Sequence, residues 1–208
     1  MTGPIRLAAI AATALALAGC VTLLPKSAPA QLYRFEANTP SAPPGRALLA
    51  VRVGRVDFAP AAGGDQIMTV KGDEVAYIAG ARWAAPAAEL FEEAVEQGFD
   101  ATGGAVRLAG RGVGGVQARR LRLDVIRFEA RYQPGQAAPL VVVRLHAELE
   151  GATAAAEPSA KLFEAEIPAG ADRVGDIVAA YDAATTKVVG ELVAWVEASG
   201  STRPPAQR

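Results

Sequence analysis

"LVVVRLHAEL", Leu140–Leu149, decides the fold. Val141, Val143, Leu145, Ala147 and Leu149 fall on one side of an extended chain, and Arg144, His146 and Glu148 fall on the other. Side chains alternate across a strand with period two, so this segment has one apolar face and one wet face. A strand with one wet face belongs to an antiparallel sheet covered on one side only. Other segments must then supply both the neighbouring strands and the cover.

Arg119–Tyr132 and residues 161–167 flank it as further strands, and residues 105–108 form a short one. Upstream, residues 46–58, "RALLAVRVGRVDF", put Leu49, Val51 and Val53 on one face. After Gly54 the apolar phase moves to Val56 and Phe58, which predicts a bulge at the glycine. "QIMTV" and "EVAYI" flank Lys71-Gly72-Asp73-Glu74 and read as a hairpin. A short strand at residues 32–35 precedes a breaker cluster at residues 39–45.

Two helices supply the cover. Residues 84–98 have Pro86 in the first turn and an apolar stripe of Leu90, Phe91, Ala94 and Val95. Glu89, Glu92, Glu93 and Glu96 take the water side, and Gly98 is the expected stop. Residues 173–198 keep helical spacing through Val174, Ile177, Val178, Tyr181, Val188, Val189, Leu192, Trp195 and Val196, with Asp172 as the expected cap. The expected fold is α/β with an α+β tendency: a mixed, mostly antiparallel sheet of six or seven strands with two amphipathic helices packed on it. Periodicity does not say whether the helices share a face.

The chain has 208 residues, of which 51% are hydrophobic, enough for a sizeable core in one domain. A net charge of −1 and only 6% aromatic residues argue against a nucleic-acid partner. The single cysteine, Cys20, sits at the end of an apolar run. Arg6 precedes "LAAIAATALAL", and the small residues Ala18 and Gly19 follow it, which is the layout of a secretory signal. Eleven residues at 1.5 Å rise cover about half of a ~30 Å hydrocarbon core, so the run is a poor membrane span.

Leu17-Ala18-Gly19-Cys20 resembles the bacterial lipobox, whose thiol takes a diacylglycerol and whose new amino group is acylated after cleavage. Val21, rather than Asp, at the next position implies the outer membrane by the sorting rule of such lipoproteins. Several acyl chains at Cys20 hold a protein on a membrane stably. The expected organisation is a signal peptide at residues 1–19, an acylated tether at 20–31, a domain at 32–198 and a loose tail at 199–208. An acylated Cys20 leaves no thiol for a disulfide, so packing alone must stabilise the fold.

No catalytic, metal or cofactor-binding set stands out. Residues 110–115, "GRGVGG", match G-x-G-x-x-G, but a strand follows where the dinucleotide fingerprint needs a helix N-terminus. His146, the only histidine, neighbours Arg144 and Glu148 on the wet face, and one imidazole with one carboxylate is too few ligands for a metal. Glu92 with Glu93, and Glu164 with Glu166, fall on solvent faces, where nothing raises a pKa for acid–base work. Residues 107–131 hold seven arginines, a basic region that suits anionic headgroups or an acidic partner if its charges are not neutralised locally. Trp83 reads as a core or helix-entry residue.

The order of these pieces carries a resemblance. A lipobox is followed by "LYRF", "LLAVRVGRVDF", the hairpin, "ARWAAPAAELFEEAVEQGF", "LRLDVIRFEARY" and the closing "VAAYDAATTKVVGELVAWV". This resembles the ABC-type transport auxiliary lipoprotein component family, the PqiC-like lipoproteins. The resemblance implies an outer-membrane-anchored periplasmic accessory, without catalytic residues, that works with an MCE-domain protein and an ABC permease and ATPase in moving lipids between membranes. Two other readings stand beside it: a carrier that itself binds a lipid in an apolar pocket, and an envelope assembly lipoprotein outside transport. A homo-oligomer is compatible with each.

Overall fold

The computed structural model describes residues 29–37, 49–103, 106–109, 118–151 and 157–201. The signal segment, Cys20, most of the tether, the breaker cluster and the glycine run at 110–115 lie outside the described residues. The elements are β1 (Gln31–Tyr33), β2 (Leu49–Phe58), β3 (Gln66–Lys71), β4 (Glu74–Trp83), α1 (Ala87–Asp100), β5 (Val106–Leu108), β6 (Arg119–Tyr132), β7 (Leu140–Leu149), β8 (Ser159–Pro168) and α2 (Val174–Ser201).

The strands form one mixed sheet. It has eight members rather than six or seven, because the three-residue β1 and β5 both pair. The two longest ladders, β6 with β7 and β7 with β8, are antiparallel, as the alternation requires. β3 and β4 make the expected hairpin, closed by Gly72 at φ 60°, a conformation that side chains disfavour. The remaining joins are parallel: β1 with β4, β2 with β5, and both β2 and β3 with β6. β6 is therefore the spine. β2 lies along its first half, β3 along its second half on the same side, and β7 along the whole of the other side. The register of β2 slips between Val53 and Val56, at the glycine where the apolar phase changes. A second slip, between Val125 and Arg127, pushes Ile126 into solvent.

Both helices lie on one face of the sheet and touch each other. α1 packs on β2 and β5, and α2 packs on β7 and β8. The buried stripe of α1 contains Leu90, Phe91, Ala94 and Val95 as expected, and continues through Gly98 and Phe99. Gly98 does not end the helix, which runs on to Asp100. A β-carbon at Gly98 would overlap Val189 Cγ1 of α2 and come within 3.5 Å of Val193 Cγ2. The glycine is there because the two helix backbones approach closely.

α2 begins as the Arg173 carbonyl accepts from the Ile177 amide at 3.0 Å. Asp172, the expected cap, instead accepts the Tyr132 hydroxyl at 2.6 Å. The helix passes the expected end and reaches Ser201. Its last turn has no basic residue of its own. Arg119 of β6 reaches across to the Ser199 carbonyl (3.4 Å), placing a cation at the negative end of the helix dipole.

Six aromatic rings fill the centre of the core. Phe128, on the covered side of β6, lies 4.7 Å from Tyr181, 5.1 Å from Phe35, 5.6 Å from Phe58, 6.2 Å from Trp83 and 6.3 Å from Phe91, ring centre to ring centre. The tilted and edge-on angles suit the ring quadrupoles. Among the described residues, Ser159 and Thr185 each bury a hydroxyl oxygen without a hydrogen-bond partner, and Thr185, fully buried on α2, does so in the core. Thr185→Val keeps the shape and removes the unpaired group, so it should raise stability by about 1 kcal/mol, or about 3 °C in Tm for a domain of this size. Thermal unfolding followed by circular dichroism tests this; a lower Tm would show that the hydroxyl is satisfied.

Candidate functional site

The first element of interest is β1 with the residues after it, at the boundary expected between tether and domain. β1 pairs in parallel with the end of β4, with Gln31 opposite Ala81 and Tyr33 opposite Trp83. The Ala84 amide donates to the Tyr33 carbonyl at 2.7 Å. Phe35 is buried and meets Trp83 edge-on at 5.0 Å. Glu36 is gripped through its backbone: its amide donates to Asp182 Oδ1 (2.8 Å), and its carbonyl accepts from the Thr186 hydroxyl (3.4 Å). Asp182 and Thr186 are one turn apart on α2, so they present a donor and an acceptor as a neighbouring strand would. Arg34 adds ion pairs to Glu36 (3.0 Å) and to Glu93 of α1 (3.2 Å). The segment that follows the tether is thus fixed to the sheet and to both helices.

The second is the sheet face that neither described helix covers. His146 lies there, opposite Asp124 on β6 and Leu162 on β8. Asp124 is itself opposite Asp57 of β2. His146, Asp57, Asp124, Glu148, Arg122 and Leu123 line a depression of about 230 Å³. Two of those carboxylates escape sequence reasoning, because parallel pairing of β2 with β6 has no local signal. Among the described residues no group of histidine and carboxylate side chains has the arrangement to hold a metal ion.

Three carboxylates of the two pairs, Glu92, Glu93 and Glu164, have structural partners. Glu92 turns inward, and its Oε1 accepts the Val56 amide at 2.9 Å, satisfying backbone freed by the β2 bulge. This corrects the expectation that Glu92 faces only water. Glu93 holds Arg34, and Glu164 is clasped by Arg144 through bonds of 2.6, 2.8 and 3.0 Å. Glu92, Glu96 and Asp100 line a second cavity, about 280 Å³, between α1 and the strands β2 and β5.

The basic stretch at residues 107–131 divides. Arg119 turns to the helix side, Arg120 meets Glu150 at 3.6 Å, and both Arg127 and Arg131 meet Glu129. Arg107 and Arg122 pair with no described residue. Trp83 is a core residue, edge-on to Tyr181 at 5.2 Å. Two tyrosines hold their protons unusually firmly. Burial, then the bond to Asp172 and its charge, push Tyr132 up to about 12. Burial, then the charge of Glu129, raise Tyr181 well above its ordinary value, and its hydroxyl donates to the Met68 carbonyl at 3.0 Å. Both serve as fixed donors in the scaffold.

This arrangement of β1, hairpin, α1, spine strand and closing α2 spans a known family model. The model of the ABC-type transport auxiliary lipoprotein component matches residues 32–193. The chain belongs to that family. Its members are auxiliary components of ABC-type transport, and the match begins at β1 and ends in α2. No curated protein matches the chain. The fold recurs in solved structures. A Xanthomonas campestris protein, XCC0632 of family DUF330, superposes with a TM-score of 0.70 at 24% identity, over 82% of this chain and 97% of that one. An uncharacterized protein superposes at 0.62 with 12% identity, over 81% and 99%. The hypothetical protein CT253 of Chlamydia trachomatis superposes at 0.53 with 7% identity, over 74% and 99%. At these identities the likeness is one of fold.

Proposed function

We propose that this chain is a periplasmic lipoprotein, acylated at Cys20 and held on the outer membrane, that acts as a non-enzymatic accessory of an MCE-containing ABC system moving lipids or other hydrophobic molecules between membranes. The family match over residues 32–193 carries the reading. The lipobox-like Leu17-Ala18-Gly19-Cys20, with Val21 after it, supports the anchor and its membrane. The firm seating of residues 31–36 fits a domain that is held by its N-terminus. Glu92, Glu93 and Glu164 are engaged in scaffold contacts, which fits an adaptor better than an enzyme. The carrier reading would need apolar space between sheet and helices, and there the six aromatic rings sit.

Two measurements test this. Mass analysis of the membrane-extracted protein should show cleavage before Cys20 and a mass increase of acyl chains on it, and Cys20→Ala should leave the membrane fraction. Affinity purification of the acylated protein should bring down an MCE-domain protein. An unmodified thiol removes the anchor; an anchored protein that associates with no MCE or ABC component removes the transport role.

A further inference from the structure

One corner of the open sheet face carries a charge arrangement that scaffold contacts do not use. In β5, β2 and the start of β6, successive outward positions are arginines. Arg107 of β5 is exposed, and its partner on β2 is Ala50. Two residues along β2 comes Arg52, whose direct partner on β6 is Arg120. The bulge then presents Gly54 and Arg55, both exposed, beside Arg122 of β6. Five guanidinium groups thus occupy three adjoining strands. At about 4.8 Å between strands and about 7 Å between alternate residues, they share a patch roughly 10 Å by 14 Å. Arg52, Arg55, Arg107 and Arg122 form no ion pair with any described residue, and Arg120 has only the 3.6 Å contact with Glu150.

Like charges placed directly opposite each other in a ladder destabilise it. The Arg52–Arg120 pairing therefore works against the fold, in contrast to the Arg144–Glu164 clasp on the same face. Acids lie beside the corner and behind it: Glu148 is the ladder partner of Arg122, and Asp57 and Asp124 share its depression. Glu92, Glu96 and Asp100 lie on the helix side of the same corner, behind the sheet. The corner itself carries arginines in front and acids behind, and an anionic plane would meet it arginines first.

We propose that this corner docks the open sheet face onto an anionic lipid surface, the arginines binding headgroup phosphates. Guanidinium forks match phosphate geometry. Exposed Leu162 and Ile126 stand on the same face just past the arginines, next to Asp57, Asp124 and His146. A bilayer meets charge and apolar side chains over one flat area, whereas an acidic peptide on the arginines would leave those two side chains in water. The docking goes beyond the accessory role, and it needs no acyl chain.

The test uses the chain from residue 20 onward with Cys20→Ser, which retains every described element and bears no lipid. It should sediment with phosphatidylcholine vesicles that contain phosphatidylglycerol, stay in solution with phosphatidylcholine alone, and be released by added salt. Arg52→Gln with Arg122→Gln should lower partitioning about 25-fold, taking about fivefold per arginine near an anionic surface. Arg173→Gln with Lys187→Gln, just before α2 and on it, changes net charge equally and should lower it no more than about twofold, because α2 packs on the covered side. Circular dichroism confirms that each variant is folded. Failure to bind phosphatidylglycerol vesicles overturns the proposal. So does an equal loss in the two double variants, and so does capture by immobilised polyglutamate without vesicle binding, which would give the corner to an acidic protein.

Discussion

Phe128→Ala should lower the unfolding free energy by about 3–5 kcal/mol, the range for truncating a fully buried aromatic side chain. Phe128 is 2% exposed and touches five other rings from three directions: the N-terminal segment through Phe35, the sheet through Phe58 and Trp83, and the helices through Phe91 and Tyr181. Rings in edge-on contact cannot slide inward to fill the void without losing their own partners, so little of the cavity closes. Domains are stable by about 5–15 kcal/mol in all, so this one change should remove a large fraction. Urea unfolding measures it. A loss below about 1.5 kcal/mol would show that the cluster repacks and that Phe128 is not its centre.

Gly98→Leu should have an effect of similar size, about 3 kcal/mol, by the opposite mechanism. Leucine favours a helix over glycine by up to about 1 kcal/mol, so propensity alone predicts stabilisation. Overlap with Val189 decides otherwise. Even the β-carbon would meet Val189 Cγ1, which belongs to a fully buried, β-branched side chain with little freedom at χ1. Either α1 must move off α2 or the sheet contacts of α1 must loosen. Adding Val189→Ala to Gly98→Leu should recover part of the loss, although Val189→Ala alone destabilises. A double-mutant cycle in urea gives the coupling. Additive losses would mean that the helices do not meet at this point.

The sequence pattern carries what is local. β7 alternates, and the structure covers one side of it. The phase change at Gly54 marks a bulge, and a register slip is found there. Both apolar helix stripes are the buried stripes. What it does not carry is which distant segment lies beside which. β2 and β3 share one side of β6 through parallel joins across long stretches of chain, and nothing in a window of either strand records that. The misjudged residues follow from this gap. Gly98 looks like a stop because glycine often is one, but its reason is on another helix. Asp172 looks like a cap until Tyr132 comes within reach. Asp57 and Arg52 had no visible connection to His146 or Arg120 before strand pairing brought them together. Whether the basic region was neutralised also depended on partners such as Glu150 and Glu129, and on Arg119 turning the other way.

The grip of Asp182 and Thr186 on Glu36 sets an order of events when the domain forms. The first described strand finds its partner in β4, but the residues just after it are held by the last helix, and the ring cluster that Phe35 enters also includes Tyr181 from that helix. A polypeptide emerging N-terminus first can pair β1 with β4 early, but the grip on Glu36 and the ring cluster stay incomplete until the final thirty or so residues arrive. Such a chain completes its core only once its C-terminal helix is released, and a truncation that removes α2 from Tyr181 onward should loosen the beginning as well.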